Sequence, residues 1–177
     1  MSSPKLLSPR VSVLLVLVFA AALSRLLPHP MNFSPIEALA LFSGAMFAKR
    51  WVGILVPLAA MLVSDLFLGL HAGMPIIYGM ILLITLFGRV LGTQPKAGKV
   101  LGASVLSVLA FFLVTNAFVW LEGSMYPMTG SGLLACYVAG IPFLDNQLAG
   151  ALFFSTLLFG GFALLRQRFP QLSTQTA

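Results

Sequence analysis

This sequence predicts an all-α polytopic membrane protein: six transmembrane helices, a short re-entrant or interfacial helix before the last span, and both termini cytoplasmic. Three observations carry that expectation. Of the 177 residues, 59% are hydrophobic and only 8% charged, whereas charged residues make up about a quarter of an ordinary globular chain. The apolar residues come in runs separated by Pro, Gly and polar clusters, as expected of helices that cross a hydrocarbon core in ~20 residues each. Finally, a six-span arrangement puts nine of the ten basic residues on one side of the bundle, the side that the positive-inside rule assigns to the cytoplasm.

Residues 1–10 form a polar leader with Lys5 and Arg10, and an apolar run follows from 11 to 27. The basic start, apolar core and Ala20-Ala21-Ala22 also fit a cleavable signal peptide. The run continues to Leu27 and five more spans follow, which favours a first helix. Pro28 and Pro30 end it, because proline cannot continue a helix and pushes the residue before it into extended conformations. Ser34-Pro35-Ile36-Glu37 starts the next: Ser34 suits the N-cap, Pro35 the first helical position, and Glu37 the third position of a capping box. The second run, 35–48, is short for a span and is followed by Lys49 and Arg50. Further runs cover 51–70, 75–91 and 100–121. After a polar, glycine-rich stretch at 122–131 come a short apolar piece at 132–143 and the last long run at 146–166. Residues 1–170 form a single transmembrane helical domain in this reading, and 171–177 a polar C-terminal tail.

Counting 132–143 as a full span would move Arg166 and Arg168 to the outer side, so that piece reads as re-entrant or surface-lying. Such backbone is tolerated at membrane depth only where protein or water satisfies it. The arrangement leaves Lys5, Arg10, Lys49, Arg50, Arg89, Lys96, Lys99, Arg166 and Arg168 inside. Arg25, all four acids (Glu37, Asp65, Glu122 and Asp145) and both histidines, His29 and His71, lie in the outer half.

Charged groups within spans are costly and usually face the bundle interior or a wet cavity. Arg25 and Asp65 sit at similar depth and are natural partners, either as a neutralising structural pair or as the floor of an outward-opening pocket walled by His29 and Asn32. Asn116 and Trp120, four residues apart on one helical face, can offer an amide and a flat aromatic platform to a small planar polar solute. Equally, Trp120 suits an interfacial anchor and Asn116 an interhelical hydrogen bond. Tyr137 and Asn146 flank the proposed re-entrant piece and complete the candidate binding set. Cys136 reads most simply as a small packing residue. Ala40, Gly44 and Ala48 recur every four residues, a small-residue stripe that serves either packing within the bundle or docking on a partner membrane protein.

Several functions are excluded. The basic residues do not form the stripe that nucleic acid requires, and a single cysteine excludes an internal disulfide and a cysteine metal cluster. Residues 92–100 only superficially resemble a phosphate-binding loop, with one residue too many between the glycines and Val100 where Ser or Thr should bind magnesium. Neither histidine has a second ligand at helical spacing, and no nucleophile-elbow, zincin or paired-carboxylate arrangement occurs. Neither a catalytic residue, a metal nor a cofactor is expected.

The segments LSRLLPHPMNFSPIEALALFSGAMF, LVPLAAMLVSDLFLGLH and FFLVTNAFVWLEGSMYPMTGSGLLACYVAGIPFLDNQLAG resemble a family of small uncharacterised bacterial integral membrane proteins. That family in turn is distantly similar to the substrate-binding S components of energy-coupling-factor vitamin transporters. The resemblance implies six helices, cytoplasmic termini in the bacterial inner membrane, and an outer-face site roofed by the loops at 28–34, 71–74 and 122–145. It also implies a small-residue face, at Ala40, Gly44 and Ala48 or around Ala20, that docks on a transmembrane scaffold working with ATPase subunits. Where the family pattern often has an acid after the glycine early in the last helix, this chain has Gly150-Ala151. The expected function is uptake of a small water-soluble nutrient or vitamin-like solute, not catalysis. The alternatives are a structural or assembly subunit of a membrane complex, and a small membrane enzyme acting on a lipid with Asp65 or Glu37 as base.

Overall fold

The computed structural model describes residues 8–173. Lys5 and the end of the polar tail therefore lie outside the described residues. Among the described residues, seven α-helices follow one another: α1 (Pro9–Leu23), α2 (Ile36–Met46), α3 (Arg50–Leu68), α4 (Met74–Gly88), α5 (Ala97–Leu121), α6 (Gly130–Ser155) and α7 (Gly161–Arg168). A π-helical turn, Thr156–Gly160, joins α6 to α7. Among the described residues, five helices are long and apolar enough to cross a bilayer: Pro9–Leu26, Arg50–Leu68, Met74–Leu91, Ala97–Leu121 and Gly130–Arg168. This is the architecture of a helical multi-pass membrane protein.

Local sequence explains most boundaries. Ser8 caps α1 by accepting from the Val11 N–H at 3.3 Å, with Pro9 in the first turn. Leu27, before Pro28, is extended, as a residue preceding proline should be. Gly69 ends α3 at φ 104°, a conformation that a side chain would strain. Thr129 caps α6 by accepting from Gly132 N–H at 3.1 Å.

The sixth element, α2, stands apart. It has 11 residues, a rise of only ~16 Å against a ~30 Å hydrocarbon core. Ten of them, all except Ile36, are buried. The longer helices surround it, and their outer faces expose Leu, Val and Phe, such as Val16, Leu66, Phe67 and Leu164. The stripe expected to dock on a partner is spent here: Ala40 and Gly44 are buried, Gly44 against α4, and only Ala48 is exposed. A Cβ on Gly44 would sit 1.9 Å from the Thr85 carbonyl oxygen, and one on Gly88 would sit 2.4 Å from that of Leu41. The two backbones are therefore in direct contact, leaving no room for a partner.

The expected re-entrant piece is also corrected. Residues 132–143 belong to α6, which runs on through the π-turn and α7 as a 39-residue apolar helix. They have no need to fold back because they pair side by side with α5: Tyr137 donates to the Leu113 carbonyl at 2.8 Å, and Cys136 to that of Asn116 at 3.3 Å. Pro142 sits inside the helix without ending it. At ~1.5 Å per residue the whole length is nearly 60 Å, so α6 tilts or extends beyond a bilayer core.

One end of the bundle gathers both ends of the described chain. Arg10, although buried, donates to the carbonyls of Leu172 (2.7 Å) and Met46 (3.2 Å), and Arg166 donates to that of Thr93 at 2.8 Å. The two guanidinium groups lie 5.0 and 5.4 Å from the Phe162 ring centroid. Leu172 is buried, so the packed structure extends past Pro170 into what the sequence suggests is a polar tail.

If the α2–α4 contact sets the packing, Gly44→Val should lower the unfolding temperature in detergent. Overpacking of this kind costs about 1–3 kcal/mol or more. Gly102→Ala, where a new Cβ meets nothing within 4 Å, should leave it unchanged or raise it.

Candidate functional site

Two polar assemblies form at the end of the bundle away from the chain termini. The first is a clamp. Arg25, in the helical turn after α1, donates to Asp65 Oδ1 and to Ser64 Oγ, both at 2.6 Å, while Tyr78 of α4 donates to Asp65 Oδ2 at 2.8 Å. Both carboxylate oxygens are thus engaged, and α1, α3 and α4 are tied at one point. Asp65 is 4% exposed and Arg25 14%. The pairing expected of these residues is present, but neither lines the neighbouring cleft.

That cleft, about 280 Å³, is the second assembly. It lies where the α2 N-terminus meets α4, α5 and α6. Its polar lining comes from Asn32, Ser34, Glu37, Thr115, Asn116 and Gln147, and its apolar walls include Phe111, Phe112 and Phe143. Asn32 is exposed and adopts φ 62°, a left-handed conformation that asparagine tolerates better than most residues. The loop carrying it seats closely on α6 because residue 150 is glycine: a Cβ there would lie 2.7 Å from the Ser34 nitrogen. Gly140 does the same for α5, since a Cβ would come 2.7 Å from Asn116 Oδ1.

Glu37 is the centre of this cleft. The capping box expected of it does not form. Ser34 Oγ accepts only a long bond from the Ile36 N–H (3.4 Å), and Glu37 turns inward, where Gln147 Nε2 donates to its Oε1 at 2.5 Å. Glu37 is 1% exposed, and its Oε2 has no hydrogen-bond partner among the described residues. The tertiary bond to α6 replaces the local one.

Of the residues expected to bind solute, the cleft brings together Asn32 and Asn116. The others do structural work or point elsewhere. The ring nitrogens of His29 lie 2.9 and 3.3 Å from the carbonyl oxygens of Pro30 and Arg25 in its own loop. Trp120 Nε1 donates to the Pro127 carbonyl at 2.9 Å and pins the α5–α6 connection. Tyr137 is held on Leu113. Asn146 is half-buried on α6 but does not line the cleft; Gln147, one residue and ~100° further round the helix, does.

Ser34, Glu37, Thr115 and Gln147 line the cleft without belonging to the expected binding set. The spacing of Gly140, Gln147, Gly150, Ala151 and Phe154, all buried on one face of α6, would have singled out Gln147 had residues 132–155 been read as a single helix. Among the described residues, no three His, Cys, Asp or Glu side chains gather to hold a metal.

Because Asp65 is buried and lies outside the cleft, Asp65→Ala, which leaves the half-buried Arg25 without its carboxylate, should destabilise the protein by about 3 kcal/mol, the lower end of the cost of breaking a buried ion pair. Chemical denaturation in detergent measures it.

No curated protein and no solved structure matches the chain. A family match covers residues 5–172, nearly the whole sequence, and the chain accordingly belongs to the family of unknown function DUF6580.

Proposed function

We propose that this protein captures a small water-soluble nutrient or vitamin-like solute at its outer face, in the manner of an S component. Uptake is powered by separate transmembrane scaffold and ATPase subunits, since the sequence holds no phosphate-binding loop. The observation that carries this reading is the cleft where Glu37, Asn116 and Gln147 line one recess together with phenylalanine walls. Polar side chains at membrane depth are costly and are kept where they serve a pathway or a ligand. A concave site with apolar walls and a few convergent polar groups is the usual form of a small-molecule site.

The charge distribution supports the direction. Arg10, Lys49, Arg50, Arg89, Lys96, Lys99, Arg166 and Arg168 belong to the end that carries the chain termini, so under the positive-inside rule that end is cytoplasmic and the cleft faces away from the cytoplasm. In a bacterial inner membrane the cleft then meets the periplasm. With α2 counted beside the five long helices, the described residues form six segments, the number expected of an S component. The exposed Asn32 loop, seated on Gly150, is the segment that closes over a bound solute.

Two experiments test this reading. The purified protein is screened by thermal shift against water-soluble vitamins and their precursors. A true ligand at a hundred times its dissociation constant adds about 2.7 kcal/mol, and Asn116→Ala or Gln147→Ala removes that gain. No stabilisation by any compound in a broad panel counts against the proposal. For orientation, single cysteines at Ser124 and Gln94 are introduced in a Cys136→Ser background and treated with a membrane-impermeant maleimide on intact cells. Position 124 should label and position 94 should not; the reverse pattern would place the cleft on the cytoplasmic side.

A further inference from the structure

The cleft has a chemical polarity that identifies the class of its occupant. Among the described residues lining it, Glu37 is the sole ionisable group. One carboxylate oxygen is bound by Gln147, and the other has no partner. A buried acceptor left without a donor is costly, and native proteins rarely keep one without a reason. Among the described residues no nearby group supplies the missing donor: the guanidinium of Arg25 is committed to Asp65 and Ser64, and Asp65 is engaged by Arg25 and Tyr78. Elsewhere at this end, His29 faces the carbonyls of its own loop, and Glu122, Asp145 and His71 are exposed. Against the carboxyl groups of Glu37, Asp65, Glu122 and Asp145, the described residues at this end of the bundle set one guanidinium, already paired. Such a field draws cations toward the cleft and repels anions.

The walls agree with the floor. Phe111, Phe112 and Phe143 line the cleft, and phenyl faces attract a positive charge held over them. Asn32, Ser34, Thr115 and Asn116 add neutral groups that can orient a polar substituent. At about 280 Å³ the space is at the lower limit of the ~300–1,000 Å³ typical of ligand pockets, which calls for a compact molecule.

We propose that the occupant is a small organic cation with at least one N–H donor, which bonds Glu37 Oε2 while its body packs on the phenylalanine walls. This inference rests on the cleft being a solute site. It is tested on the full-length protein by thermal shift and calorimetry with probes of three charge classes: benzylamine, benzamidine and choline; benzyl alcohol and benzamide; benzoate and phenylacetate. Benzylamine or benzamidine should bind saturably, more tightly than choline, which has no N–H, and more tightly than the neutral and anionic probes. Glu37→Gln retains the side-chain volume and an acceptor for Gln147, and should weaken the amine roughly tenfold or more. Should that variant fold poorly, Asn116→Asp, which adds a second carboxylate to the cleft, should tighten amine binding.

Saturable binding confined to neutral or anionic probes and weakened by Asn116→Ala overturns the cation inference while leaving solute capture standing. Amine binding indifferent to both Glu37→Gln and Asn116→Asp also overturns it. Absence of saturable binding in all three classes, together with a silent vitamin panel, overturns both.

Discussion

The enclosure of α2 is the constraint from which the rest of the structure follows. A helix buried on every side cannot hand its polar groups to water, and a neighbour can reach its backbone only where the facing residues are small. Both conditions are visible in one helix. Gly44 meets the Thr85 carbonyl of α4, and Gly88 of α4 meets the Leu41 carbonyl, at backbone distance, while Leu39, Phe42 and Met46 are buried among the other helices. The carboxyl group at its N-terminal end, that of Glu37, must then find its partners on another helix, and Gln147 bonds one of its two oxygens. The first turn of a helix is where its dipole favours a negative group, so the position suits a carboxylate even though the surroundings are apolar.

Around this strut the bundle divides its work. Guanidinium groups do most of the tying. At one end Arg10 and Arg166 lie against Phe162 and collect carbonyls from Met46, Thr93 and Leu172. At the other, Arg25 joins α1 to α3, and Asp65 passes the connection to Tyr78 on α4. The α5–α6 hairpin is assembled differently, by small contacts spread along its length: the shared hydrogen bond of the Ser104 and Ser155 hydroxyls, Cys136 on Asn116, Tyr137 on Leu113 and Trp120 on Pro127. The cleft sits between these two halves. Its lining therefore comes from the strut, the clamped half and the hairpin together, an arrangement in which a modest shift of the hairpin changes the shape of the site.

The residues that misled inspection of the sequence did so for a common reason. Ser34 and Glu37 have the spacing of a capping box, and that spacing is compatible with a local bond; burial against α6 offered Glu37 a better-enclosed partner. Ala40, Gly44 and Ala48 have the spacing of a docking face, and such a face is the same whether its partner is another protein or α4 of the same chain. Residues 132–143 read as re-entrant because counting them as a span of their own would have put Arg166 and Arg168 on the outer side, whereas joined to the last run in one helix they leave both arginines at the inner end. The helix persists through them since its first half lies along α5.

What the amino-acid sequence determined by itself is the membrane class, the helical runs and where most of them stop, because these depend on composition and on the local chemistry of Pro, Gly, Ser and Thr. It also determined that Arg25 and Asp65 would meet, since two opposite charges at equal depth in an apolar medium have few alternatives. Only the tertiary structure decided that α6 is continuous, that the small-residue stripe is internal, and that Glu37, Asn116 and Gln147 converge. Those outcomes depend on the rotation of each helix about its axis and on which neighbour it faces, and one residue of difference turns a side chain by ~100°.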